Sequence, residues 1–189
     1  MLNQEFYDRD TARVACELLG KILFHDSSEG FGSGVIVETE AYYGEDDPAS
    51  RAAGGKKTKI SENMWKRGGL SLIYMVHSNW LFNVTTETKN TPGAVLIRAL
   101  EPLEGLDLMR DRRGFDDVQA LASGPGKLTQ ALGITKNQHG VDLTQSKKLG
   151  IKKSDFRDFE VERSHRIGVS RDLDEELRFY VSGSDFVSK

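Results

Sequence analysis

Apolar and polar positions alternate most clearly over residues 34–42, Gly-Val-Ile-Val-Glu-Thr-Glu-Ala-Tyr, a pattern that predicts a strand. Successive side chains of a strand point to opposite faces, so Glu38, Glu40 and Tyr42 share one face while Val37, Thr39 and Ala41 share the other. A second strand-like run, 21–25, precedes it across the turn-rich Asp26-Ser27-Ser28-Glu29-Gly30, which predicts a hairpin. Helical spacing comes first at 10–20, where Val14 and Leu18 lie one turn apart, Asp10 or Thr11 can cap the start and Gly20 can close the end. Runs at 70–76 and 80–85 are separated by His77-Ser78-Asn79 and predict a second, protruding hairpin. A strand at 93–99 is followed by a predicted helix over 102–113, with Pro102 in its first turn and Leu103, Leu106 and Met109 on one face. Ser123-Gly124-Pro125-Gly126-Lys127 introduces another helix ending near Leu132-Gly133, and a last strand is expected at 177–181. Between 44 and 67 periodicity fades, and so long an irregular loop inside a compact domain points to function.

Composition narrows this to one compact domain over 1–189. The chain has 189 residues, 38% hydrophobic and 29% charged, enough for one well-buried core. The single cysteine, Cys16, excludes an intramolecular disulfide and a multi-cysteine metal cage. No apolar run approaches the roughly 20 residues of a membrane span, and the first residues lack a signal-peptide pattern. The expectation is a soluble, intracellular protein, cytoplasmic in a prokaryote or nuclear in a eukaryote.

The formal net charge of −3 argues against a nucleic-acid partner only until its distribution is considered. Within 51–70 stand Arg51, Lys56, Lys57, Lys59, Lys66 and Arg67 against one acid, Glu62. That is a basic patch on an acidic body. Similar clusters at Arg110, Arg112 and Arg113 and at Lys147, Lys148, Lys152 and Lys153 read as solvated faces.

Two carboxylates about 7 Å apart on one strand face make a candidate acid/base site, because burial and mutual repulsion raise a carboxylate pKa toward neutrality. Strand-end glutamates that merely meet solvent or an arginine are the alternative. The glycine turn at 123–127 lacks the G-x-x-x-x-G-K-[ST] spacing of an NTPase loop. Its backbone can still hold one phosphate at a helix start, or serve as a plain turn. The histidines at 25, 77, 139 and 165 have no zinc-site spacing, so no metal is expected.

Six blocks then converge. Val37-Glu38-Thr39-Glu40-Ala41-Tyr42, Asn83, the run from Leu96 through Arg98 to Gly105, Ser123 to Leu128, Arg166-Ile167-Gly168-Val169 and Leu177-Arg178-Phe179-Tyr180-Val181 together resemble the alkyladenine (3-methyladenine, or methylpurine) DNA glycosylases, in family order and over most of the chain. The resemblance implies a single α+β (mixed α/β) domain over 1–189, an antiparallel sheet with flanking helices and a protruding hairpin. It also implies hydrolysis of the N-glycosidic bond of alkylated or deaminated purines flipped out of double-stranded DNA, without cofactor or metal, by a protein expected as a monomer. It makes Glu40 the base that activates water, Glu38 a supporting group, and Arg98 and the Ile167 carbonyl further contacts to that water. It puts Tyr42, Arg51, Tyr74 and Asn83 in the base pocket and His77 at the intercalating tip. Lys56, Lys57, Lys59, Lys66 and Arg67 would follow the DNA backbone. Arg51 stands where the family commonly has a histidine, His77 where it usually has a tyrosine, and Thr58-Lys59-Ile60-Ser61 replaces a T-P-R-N loop. A lesion-binding protein without catalysis and a sugar hydrolase using Glu38 and Glu40 as a pair are the competing readings.

Overall fold

The computed structural model describes residues 1–156 and 158–188. Among them are five α-helices: α1 Gln4–Tyr7, α2 Thr11–Leu18, α3 Leu106–Arg113, α4 Val118–Ala122 and α5 Pro125–Leu132. The eight strands are β1 Ile22–Ser27, β2 Gly30–Tyr42, β3 Ser71–Val76, β4 Asn79–Thr85, β5 Ala94–Glu104, β6 Leu149–Lys152, β7 Val161–Ser164 and β8 Arg178–Val181. They form one antiparallel sheet in the order β3-β4-β5-β2-β1-β6, with β8 also on β2 and β7 on β8. The α+β class implied by the resemblance is therefore the one observed. No helix among the described residues is long and apolar enough to cross a membrane.

The 13-residue β2 organises the sheet. Along one edge it pairs with β1 from Gly30 to Val35 and then with β8 from Glu38 to Glu40, while β5 runs along the other edge. The β2–β5 register slips three times, once between Ser33–Glu104 and Gly34–Pro102 and twice nearer the site: there Val37 is extra on one strand, and Arg98 on the other lies between the pairs Glu38–Ala99 and Thr39–Ile97. Paired bulges of this kind bend strands and re-aim side chains, and these two flank Glu38 and Arg98.

One face of β2 is closed by α2. Asp10 caps that helix by accepting from the Arg13 amide, Val14, Ala15 and Leu18 are buried, and the Thr39 hydroxyl donates to the Ala15 carbonyl at 2.9 Å. Helix α5 packs across β4 and β5 with Leu128, Ala131 and Leu132 buried. The opposite face of β2, bearing Glu40 and Tyr42, is left for the site.

Both hairpins form, and the second turns on His77 and Ser78 alone, each in the left-handed region (φ 46° and 64°). The expected helix over 102–113 is corrected: β5 continues through Pro102 to Glu104 and α3 begins only at Leu106. Pro102 lies opposite Gly34 near the end of the ladder, where the missing N–H costs little. Gly105 makes the break, since its φ of 80° suits glycine and a Cβ there would lie 2.3 Å from the Phe31 carbonyl oxygen.

Candidate active site

Glu40 is fully buried. Its Oε1 accepts from the Ile167 amide at 2.7 Å and lies 3.1 Å from Nη1 of Arg98, and its Oε2 accepts from the Tyr42 hydroxyl at 2.7 Å. Burial pushes the carboxyl pKa above the ordinary range, and the Arg98 charge and the two hydrogen bonds only partly oppose this. Burial raises the Tyr42 phenol too, and the neighbouring Glu40 carboxylate adds to the shift.

Arg98 is divided between two acids. Its Nε donates to Glu38 at 2.8 Å and its Nη2 to the Ser188 hydroxyl at 3.2 Å, while Nη1 faces Glu40. Burial works against the guanidinium charge, but Glu40 and Glu38 more than offset it and hold its pKa up. Glu38 in turn accepts from Arg98, from Arg178 Nε at 2.7 Å, and from the hydroxyl and amide of Ser188 at 2.8 and 2.7 Å. Fully buried, it takes four hydrogen bonds, two of them from the guanidinium groups of Arg98 and Arg178, so its charge is held by two arginines and it supports Arg98. This geometry is that of a counter-ion, not of the second member of an acid/base pair.

Tyr42, Arg98 and Ile167, the three groups touching Glu40, line a cavity of about 740 Å³ together with Arg51, Tyr74 and Leu96. Glu40 thus stands directly behind the wall of a concave opening. Tyr42 and Leu96 reach it because Tyr42–Ala94 and Glu40–Leu96 are cross-strand pairs sharing a face. The Arg166 guanidinium lies over the Tyr42 ring, 4.6 Å from its centroid. A cavity of about 780 Å³ lies beyond Asn79 and Gly126, but none of Glu40's partners lines it.

Most predicted site residues meet here, and a few do not. His77 is exposed at the hairpin tip and forms part of the cavity rim, and Arg51 lies over the Tyr74 ring at 4.3 Å. Asn83, expected in the base pocket, is buried and does not itself line the cavity, but it hydrogen-bonds the side chain of Tyr74, which does. It pairs with Leu72 across the hairpin and its amide donates to the Leu72 carbonyl at 3.1 Å. Ile167 reaches Glu40 through its amide N–H, where the resemblance drew attention to the carbonyl. Lys56, Lys57, Lys59 and Lys66 are exposed and form no ion pair among the described residues, although Lys66 donates to Asn63. Arg67 is tied to Asp8 at 2.5 Å, so its charge is already balanced.

Sequence reasoning assigned no role to Arg166. Fully buried, it donates to both Asp47 oxygens at 2.6 and 2.9 Å, to Asp172 and to the Ala41 carbonyl. Asp47 also accepts from the Tyr43 amide, so one ion pair fixes the end of β2 and the segment that delivers Ile167. Its only sequence signal was membership of the Arg166-Ile167-Gly168-Val169 block.

The family model for methylpurine-DNA glycosylase (MPG) matches residues 5–185. The chain belongs to the methylpurine-DNA glycosylase family. Similar proteins that carry a provisional 3-methyladenine DNA glycosylase name are found in Bacillus licheniformis, 40% identical over 98% of this chain and 95% of that protein, and in Methanoculleus marisnigri, 42% identical over 97% and 96%. A third, from Clostridium perfringens strain SM101, is 38% identical over the whole chain and 98% of its own length. The glycosylase is thus a DNA-acting hydrolase whose Glu40–Arg98 pair lies behind its cavity. Among the described residues no group of three or more His, Cys, Asp or Glu side chains could hold a metal ion.

Proposed function

We propose that this glycosylase removes alkylated and deaminated purines from duplex DNA by monofunctional hydrolysis, initiating base excision repair as a monomer inside the cell. The observation that carries the proposal is Glu40, a buried carboxylate of raised pKa whose three partners line a cavity. The damaged nucleotide leaves the stack, at a cost of a few kcal/mol, and enters between Tyr42 and Tyr74 while His77 fills the gap. A water held by Glu40, Arg98 and the Ile167 carbonyl attacks the anomeric carbon. The bond to the base breaks, and Glu40 takes the water's proton while its charge stabilises the oxocarbenium-like sugar.

Incubating hypoxanthine- and 7-methylguanine-containing duplexes with the protein, then cleaving with alkali, reads base loss directly. Wild type gives strand breaks, whereas Glu40→Gln binds the same duplexes and yields none. Borohydride traps no covalent adduct. An active Glu40→Gln variant, or a trapped adduct, overturns the mechanism.

A further inference from the structure

The cavity wall carries charge of one sign. Arg51, Arg98, Arg113 and Lys127 line it with His77 at the rim, and among the described residues no carboxylate does. Two of these cations differ sharply in their surroundings. Arg98 is shared between Glu38 and Glu40, whereas Arg51 forms no ion pair among the described residues and rests its guanidinium on the ring of Tyr74. A planar cation stacked on an aromatic face in an open slot presents its N–H edges to whatever enters beside it.

We infer that Arg51 touches the extruded base and stabilises the negative charge it carries away, so that neutral purine lesions are the class this site accelerates most. The inference rests on the glycosylase reading above. When water bonds to the anomeric carbon of a neutral nucleoside, the electron pair of the breaking C–N bond goes to the purine, which departs as an anion. Water's proton goes to Glu40, and after release the purine anion gains a proton from solvent while Glu40 returns its own. A base already cationic from alkylation departs neutral, and Arg51 offers it nothing but repulsion in its bound state. A fixed cation facing the site of developing charge acts on the transition state of one lesion class only.

Single-turnover excision of hypoxanthine and ethenoadenine, compared with that of 7-methylguanine, tests this with wild type, Arg51→Gln and Arg51→Lys. Arg51 is exposed, so the variants are expected to keep the wild-type melting temperature. Arg51→Gln should lose about 100-fold on the neutral bases, the scale of removing one charge-stabilising donor, and less than about threefold on 7-methylguanine. Arg51→Lys, which keeps the charge, should retain most of the neutral-base activity. Equal losses on both classes would make Arg51 a DNA-backbone contact or a pocket wall and overturn the inference. So would an unchanged rate on neutral bases. A wild-type protein that releases neither class overturns the glycosylase reading itself, a result distinct from equal losses in a working enzyme.

Discussion

Glu40 keeps its place by a balance in which dehydration outweighs attraction. Burial favours its neutral form, while Arg98, the Ile167 amide and the Tyr42 hydroxyl favour the charged one, and the net result is a raised pKa. A base works only when deprotonated, so the excision rate must rise with pH through that elevated value. The acid limb of the pH–rate profile is therefore expected at a midpoint above that of an ordinary glutamate, and a limb in the ordinary range would remove Glu40 from the role of base. Stability moves the other way. A folded-state pKa above the unfolded one contributes stability that is full below the unfolded pKa and is lost as pH rises through the folded pKa. Wild type should accordingly lose stability relative to Glu40→Gln across that interval, as urea titrations at successive pH values would record. Glu38, one pleat away, accepts four hydrogen bonds from Arg98, Arg178 and Ser188 and serves as a counter-ion. Identical residue types two positions apart are given different work by their neighbours.

The β3–β4 hairpin is the element whose tip must stay rigid if it is to fill a gap in DNA. Its two turn residues sit in a backbone region that costs of order 1–3 kcal/mol each unless the surroundings enforce it. Asn79 enforces part of it by donating to the His77 carbonyl at 2.9 Å, and Gly126 at the start of α5 lets Asn79 seat. A Cβ at Gly126 would lie 2.8 Å from Cβ and Cγ of Asn79, too near the backbone for the side chain to swing clear. Gly126→Ala is therefore expected to push the tip off α5 and to speed hydrogen exchange of the 77–80 amides about tenfold, within the usual 1–3 kcal/mol cost of overpacking. Unchanged exchange would mean that α5 does not hold the tip. Both hairpins and α2 are legible in the sequence because their turns, caps and periodicity are local. The start of α3 is not, because Pro102 and Leu103 fit a helix start equally well until pairing with β2 draws the chain through Glu104 into the ladder. Strands β6 and β7 are four residues long, and β7 is largely exposed, so neither carries a pattern of its own.

At the scale of the whole molecule the site is assembled from ends of the chain that sequence spacing does not connect. Glu40 and Arg98 are legible through their motif blocks, yet Arg166 meets Asp47 across 119 positions and Ser188 meets Glu38 across 150. No local rule pairs residues so far apart. Charge is partitioned on the same scale: the protein is net negative, while the loop after β2 is basic and continues into a cationic cavity. Such a distribution orients an approaching duplex, since phosphates are drawn to one face and repelled by the rest. The structure also divides the basic loop. Lys56, Lys57 and Lys59 are exposed and form no ion pair among the described residues, whereas Arg67 is spent on Asp8. Each lysine that meets a phosphate releases condensed counterions, so losing it should lower the slope of log K against log salt by about one. Replacing Lys56, Lys57 and Lys59 by alanine is thus expected to reduce the slope by about three and to weaken binding to all duplexes alike, damaged or not. Arg67→Ala should leave the slope as it is, because that guanidinium is already matched. Fluorescence anisotropy over a salt series measures both. If the triple variant keeps the wild-type slope, the lysines form a solvated face and the phosphates must be met by the cations of the cavity wall.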